Sequence, residues 1–203
     1  MLASEPYERQ AMPFAYYSRL NKRDQAIYRR SASLTKVELG QTEALRHHVE
    51  KLQIAYKKGD RNSIQHAAQA FSEAMLKQLR VSVVAVRVLA VRPSTARSEL
   101  HGLYERTEGR QPVIRVWMRT AVHQRVVSFR TFLRILVHEL CHHLDYELYQ
   151  LPDSFHTEGF FKRESSVVRQ IVIPKKQASS LSNEQVYSLP PSPLVPLLTG
   201  VNT

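Results

Sequence analysis

The sequence is short of thiols, of negative charge and of long apolar runs, and each shortage removes a class of protein. Its one cysteine, Cys141, excludes an intramolecular disulfide framework and any zinc site built on several thiolates. The most apolar stretch, residues 81–91, contains Arg87 and falls far short of the roughly 20 residues that a transmembrane helix needs. The opening residues, Met1-Leu2-Ala3-Ser4-Glu5-Pro6, lack the basic-then-apolar order of a secretory signal. Together these absences predict a cytoplasmic protein with no membrane partner. Acidic residues number 18 against 29 Lys+Arg, leaving a formal charge of +11. Such a surplus favours polyanionic partners, nucleic acid first and an anionic membrane face second. No internal repeat is visible.

What is present suits a single domain with tails: 203 residues, 43% of them hydrophobic, enough for a real core. Residues 1–40 form a basic, tyrosine-dotted arm with one short helix around 21–30. Its Arg19, Lys22, Arg23, Arg29, Arg30 and Lys36 alternate with Tyr7, Tyr16, Tyr17 and Tyr28. That pattern suits either a solvated surface arm lying on the domain or one that would grip DNA or RNA through phosphates and stacked bases. From Thr42 the periodicity turns helical. Leu45, Val49, Leu52 and Tyr56 make one stripe, Gly59-Asp60 interrupts, and Ile64, Ala68, Phe71, Met75 and Leu79 make a second. A helical hairpin is predicted. Val81–Val91 reads as a strand covered on both faces, Leu100–Arg106 as a second strand and Val113–Met118 as a third. A long helix is predicted from about Ser128 to Tyr149, and another from Ser154 to Ile171. Beyond Pro174 a Ser- and Pro-rich tail, residues 174–203, reads as extended and disordered, or as a ligand for a proline-docking domain.

One motif carries chemistry. His138-Glu139-Leu140-Cys141-His142 is an HExxH pattern inside the long helix. Residues i and i+4 of a helix lie one turn apart and about 40° round its axis, so both imidazoles can reach one metal ion. The intervening glutamate lies to the side, where it can act as general base on a metal-activated water. Random placement at this composition gives only ~0.03 such matches per chain. Moreover, Phe129, Leu133, Leu136, Val137, Leu140 and Leu144 share the opposite face. The histidines therefore point away from the stripe that packs, where a structural core pair would lie on it. Cys141 is off the metal face and reads as a small buried apolar residue.

A catalytic zinc normally takes three protein ligands. His143 is rotated about 100° off the face. Asp145 shares the face but stands about 10 Å along the axis, which suits an acceptor supporting His142. His156 and Glu158, beyond the Leu151-Pro152-Asp153 break, can both fold back over the metal face; His156 is the preferred third ligand and Glu158 the alternative.

His138-Glu139-Leu140-Cys141-His142, then thirteen residues, then His156-Thr157-Glu158-Gly159-Phe160 resembles the SprT-like (Spartan-related) and YgjP-like zinc metallopeptidases. The resemblance covers residues 65–171. It implies an α+β, zincin-like (minimal gluzincin-type) domain over 41–173, a helical hairpin packed on a small mixed sheet beside the active helix. It also implies one zinc per chain on His138, His142 and His156, Glu139 as the catalytic residue, and a protein or peptide substrate, with nucleic-acid-associated proteins among the candidates. Two features depart from it: Thr157 stands where those families often have Gly or Ser, and no cysteine-rich zinc ribbon follows. In such enzymes the strand before the active helix pairs with substrate, which would make Val113–Met118 an edge strand rather than an ordinary internal one. Tyr104, Tyr146 and Arg163 are the candidates to stabilise an oxyanion. A non-enzymatic alternative keeps the zinc as a structural staple in an interaction module.

Overall fold

The computed structural model describes residues 14–91, 93–95, 98–99, 101–120 and 125–172. The predicted tail over 174–203, residues 1–13 of the predicted arm, and Leu100 at the start of the second predicted strand lie outside the described residues.

The architecture is α+β: five α-helices and a three-stranded mixed sheet among the described residues. A 3-10 turn, Ala15–Arg19, leads into α1, Lys22–Ser33, whose first turn is capped by the Asn21 side chain accepting from the Asp24 amide. Helices α2, Thr42–Lys58, and α3, Arg61–Gln78, form the predicted hairpin. Their buried faces, Leu45, Val49, Leu52 and Tyr56 against Ile64, Ala68, Phe71 and Met75, are the stripes read from the sequence. Fully burying one such side chain stabilises the fold by about 1.5–3 kcal/mol.

Strand β1, Ala85–Val91, runs parallel to β5, Val113–Arg119. Between them in the chain lie β2, Ser94–Thr95, and β3, Ser98–Glu99, paired only with each other, and β4, Gly102–Glu105, which runs antiparallel to β5. The order β1-β5-β4 and the burial along β1 overturn one expectation each. Val113–Met118 is the central strand, because β1 pairs with one side of it and β4 with the other; the edge beside the HExxH helix is β4. Residues 81–91 are not covered throughout: the strand begins at Ala85, Val86 and Val88 are buried, and Arg87 and Val91 are exposed. The free edge of β1 is closed by amide side chains instead. Gln69 bonds the Val84 carbonyl and the Val86 amide, and Gln65 bonds the Val86 carbonyl and the Val88 amide. An exposed row of unpaired backbone groups invites aggregation, and two glutamines from α3 remove it.

Helix α4, Phe129–Glu147, starts at Ser128, whose hydroxyl accepts from the Thr131 amide. It lays Leu133, Leu136, Val137, Leu140 and Leu144 into the core. Helix α5, Glu158–Val172, begins four residues later than predicted. The Thr157 hydroxyl accepts the Phe160 amide in the manner of an N-cap, which leaves His156 on the irregular segment ahead of the helix. From Phe14 to Ser33 the chain lies on the domain: Ile27 and Tyr28 join Leu151 and Phe155 in a second small cluster, with Phe14, Tyr16, Tyr17 and Leu20 around it, while Lys22, Arg23, Arg29 and Arg30 are exposed. Among the described residues no helix is long and apolar enough to cross a membrane.

Candidate metal centre

Helical periodicity places His138 and His142 on one face of α4, and the segment after the Leu151-Pro152-Asp153 break returns His156 to that face. The Nε2 atoms converge: His156 Nε2 is 3.0 Å from that of His138 and 3.1 Å from that of His142. Among the described residues this trio is the one group of three or more potential ligands close enough to share an ion. Nitrogens at the corners of a tetrahedral zinc site stand ~3.3 Å apart for Zn–N bonds of 2.0–2.1 Å, so the spacing fits. Glu158, the alternative ligand, is turned away: its carboxylate accepts the Tyr28 hydroxyl at 3.1 and 3.3 Å.

The partners behind the rings decide their tautomers. His138 Nδ1 is 2.9 Å from Glu164 Oε2, an acceptor, so the ring proton sits on Nδ1 and the Nε2 lone pair faces inward. Behind His142 stands Ser154, 2.7 Å from Nδ1. Its one hydroxyl hydrogen goes to Asp145 Oδ2 at 2.8 Å, so it must accept from His142, and that Nε2 too is a bare acceptor. Two lone pairs, one buried and one half-buried, therefore aim at one point, the donor set a borderline cation requires. Asp145 supports His142 as expected from the sequence, but through Ser154 rather than directly. Glu164, which no sequence motif singles out, is the acceptor for His138. The signal that could have found it is chemical: a ligating imidazole needs an acceptor on its second nitrogen.

Burial dominates the electrostatics. It drives His142 well below the usual imidazole range, helped by the charges of His138, His156 and Arg163. Burial and His138 likewise bring His156 down to about 4, keeping both rings neutral and able to donate a lone pair. For His138 burial acts in the same direction but is outweighed by the hydrogen bond and charge of Glu164 and by Glu139, so this ring is raised. Glu139 is 6% exposed. Burial pushes its carboxyl up to about 7, with His138 and the Tyr104 backbone amide, which it accepts, working against the rise. It lies flush against β4: a Cβ added at Gly102 would collide with its side chain.

Of the oxyanion candidates, Arg163 is ruled out by position. It is fully buried, and its guanidinium donates to Asp145 Oδ1 at 2.6 Å and to the Ser31 and Leu34 carbonyls. Tyr104 and Tyr146 stack beside the centre, ring centroids 5.9 Å apart, with Tyr104 at 6.4 Å from His142. Their hydroxyls are engaged: Tyr104 donates to His143 Nδ1, whose Nε2–H goes to the Ser82 carbonyl, and Tyr146 donates to Asp153. His143 is thus off the metal face, as its position in the helix requires. Cys141 is buried, with its thiol pushed well up by that burial.

Comparison with family models, with curated proteins and with solved structures returned no match to this chain.

Proposed function

We propose that this chain is a zinc-dependent metallopeptidase with a zincin-like, minimal gluzincin-type domain, holding one zinc on His138, His142 and His156 and using Glu139 as its proton-transferring group. The observation that carries the reading is the pair of fixed tautomers: Glu164 and Ser154 each take an Nδ1 proton, which turns two Nε2 lone pairs onto the spot where His156 also arrives. When bound, zinc supplies a Lewis acid that polarises a carbonyl and acidifies water to near neutrality. Glu139, its carboxyl near 7, takes up the proton released by the attacking water and returns it to the leaving amine. The HExxH motif, the downstream His156 and the order of elements support the SprT-like and YgjP-like resemblance, and a cytoplasmic location belongs to the same proposal.

An extended peptide would bind along β4. Its outer edge has no strand partner among the described residues, and it runs beside Glu139. The other edge of the sheet is closed by Gln65 and Gln69. Main-chain pairing along β4 would carry the scissile bond past the general base.

The test is direct. Purified protein should hold about one zinc per chain, and Glu139→Gln should keep that zinc while peptide cleavage falls by about 100-fold or more. Full cleavage by the variant would remove Glu139 from the mechanism, and an ion present with no cleavage by either protein would favour the structural-staple reading. Nucleic-acid-associated substrates are favoured by the exposed face of α1, which carries Lys22, Arg23, Arg29 and Arg30. DNA affinity should then drop steeply with added salt, as phosphate contacts release counterions.

A further inference from the structure

The third ligand is the one that no helix holds. His138 and His142 are fixed by α4, but His156 sits ahead of α5 on a segment with little regular backbone pairing. What surrounds it comes from the far end of the chain. The Tyr16 hydroxyl donates to the His156 carbonyl at 2.7 Å. The Ser31 and Thr157 hydroxyls share a hydrogen bond of 3.1 Å, and the Tyr28 hydroxyl donates to Glu158. At Gly159 the approach is so close that a Cβ would strike the Ser31 and Ala32 carbonyls. Four consecutive residues, 156–159, are each met by the segment 14–33. The ring itself is reached by a second route: Phe161 stacks on His156 with centroids 5.8 Å apart, and Phe14 stands edge-on to Phe161 at 6.0 Å.

We propose that the segment from Phe14 to Ser33 completes the metal site, with Tyr16 as a positioning residue that sets the His156 ligand through its carbonyl. The inference rests on the metal-site reading above and concerns the chain's own residues. It follows from the direction of the contacts. A hydrogen bond to the ligand's own main chain, plus a stacked ring over its imidazole, fixes both ends of the side chain's lever. A loop lacking those contacts would sample positions in which only two nitrogens converge, and the apparent affinity for zinc would fall with the fraction of time the third is absent. Because the coupling is reciprocal, zinc must in turn hold the segment down.

Tyr16→Phe deletes one hydroxyl and keeps the ring, so the aromatic cluster stays filled. Zinc affinity, measured on the full chain by competition with a chelating dye, should weaken about 10-fold. Ser63→Ala, which removes an exposed hydroxyl from the first turn of α3, should leave the affinity unchanged. A purely structural tyrosine would lower the melting temperature of zinc-free and zinc-loaded protein equally and leave the dissociation constant alone; that result overturns the proposal. A second measurement needs no variant: zinc should slow amide exchange at Tyr17 and Leu20, which bond the Phe14 and Tyr17 carbonyls, together with exchange around residues 154–158. Unchanged exchange at those two amides would also overturn it. A wild-type chain that binds no zinc would instead remove the metal site itself, and this inference with it.

Discussion

His138 and His142 stand one turn apart on the same helix, yet they are held from behind by contrasting devices. Behind His138 is a carboxylate in direct contact: Glu164 accepts from the ring and is paired on its other oxygen with Arg134, which is 27% exposed. Although burial alone would raise Glu164, the hydrogen bonds and charges of His138 and Arg134 hold it below the ordinary carboxylate range. Behind His142 the carboxylate is one hydroxyl removed. Ser154 stands between the ring and Asp145, and the Asp145–Arg163 pair is fully buried on both sides. Burial pushes Asp145 up to about 6 despite Arg163 and Ser154. The near-surface device therefore acts on the ring, while the deep one is part of the fold: Arg163 ties α5 to the end of α1 through the Ser31 and Leu34 carbonyls. Under the proposed metal site, the contact that tunes a ligand and the contact that holds the fold lie on opposite sides.

That separation is broken most forcefully at Arg163. Arg163→Met fills the volume but strands the fully buried Asp145 carboxylate, a loss of about 3–5 kcal/mol for a buried pair cut on one side. Urea unfolding of the zinc-free protein should show it, and adding Asp145→Leu should restore part of the loss, since the stranded charge is then gone. A zinc-free stability within about 1 kcal/mol of wild type would place this pair outside the framework of the fold.

Glu164→Gln sharpens the other side. The amide keeps an acceptor for His138 Nδ1 but loses the charge, and Arg134, already partly exposed, can turn to water. Stability should suffer less than in Arg163→Met. Zinc affinity should fall about 10- to 100-fold, the usual cost of an outer carboxylate behind a ligating imidazole. The reverse ordering, with large destabilisation and unaltered affinity, would mean that Glu164 serves the fold and that the two devices do not differ.

Much of this was legible where the chain encodes it locally. The stripes Leu45–Tyr56 and Ile64–Met75 and the apolar face of α4 need only a period of 3.6, and they landed where the spacing put them. The two ligands on α4 share that locality. Val113–Met118 was misplaced because alternation cannot tell a central strand from an edge one; β1 joins it by a parallel crossover, which is a property of the whole sheet. The packing of the arm is not legible in its sequence, because basic residues interleaved with tyrosines suit a surface arm and a nucleic-acid grip equally. Yet Ile27 and Tyr28 suffice to bury one face against Leu151 and Phe155, more than 120 residues away. Glu164 and Ser154 were missed for the same reason: their roles exist only once α4, α5 and the intervening loop have met.

The finest difference between the two sides lies at Ser154. Ser154→Ala removes a neutral acceptor, and Asp145 keeps its charge pair with Arg163, so the fold loses less than in either variant above. What changes is the choice open to His142. With Nδ1–H no longer accepted, the proton can move to Nε2, and a ring in that tautomer offers the ion no lone pair. If the two tautomers become comparably populated, about half the molecules are competent, and the apparent zinc affinity drops by about twofold. The imidazole nitrogen shifts of the zinc-free protein would report the tautomer, and a dye competition the affinity. An effect as large as that of Glu164→Gln would show that a hydroxyl relay commands its histidine as firmly as a carboxylate in contact does, and the contrast between the two devices would then rest on burial alone.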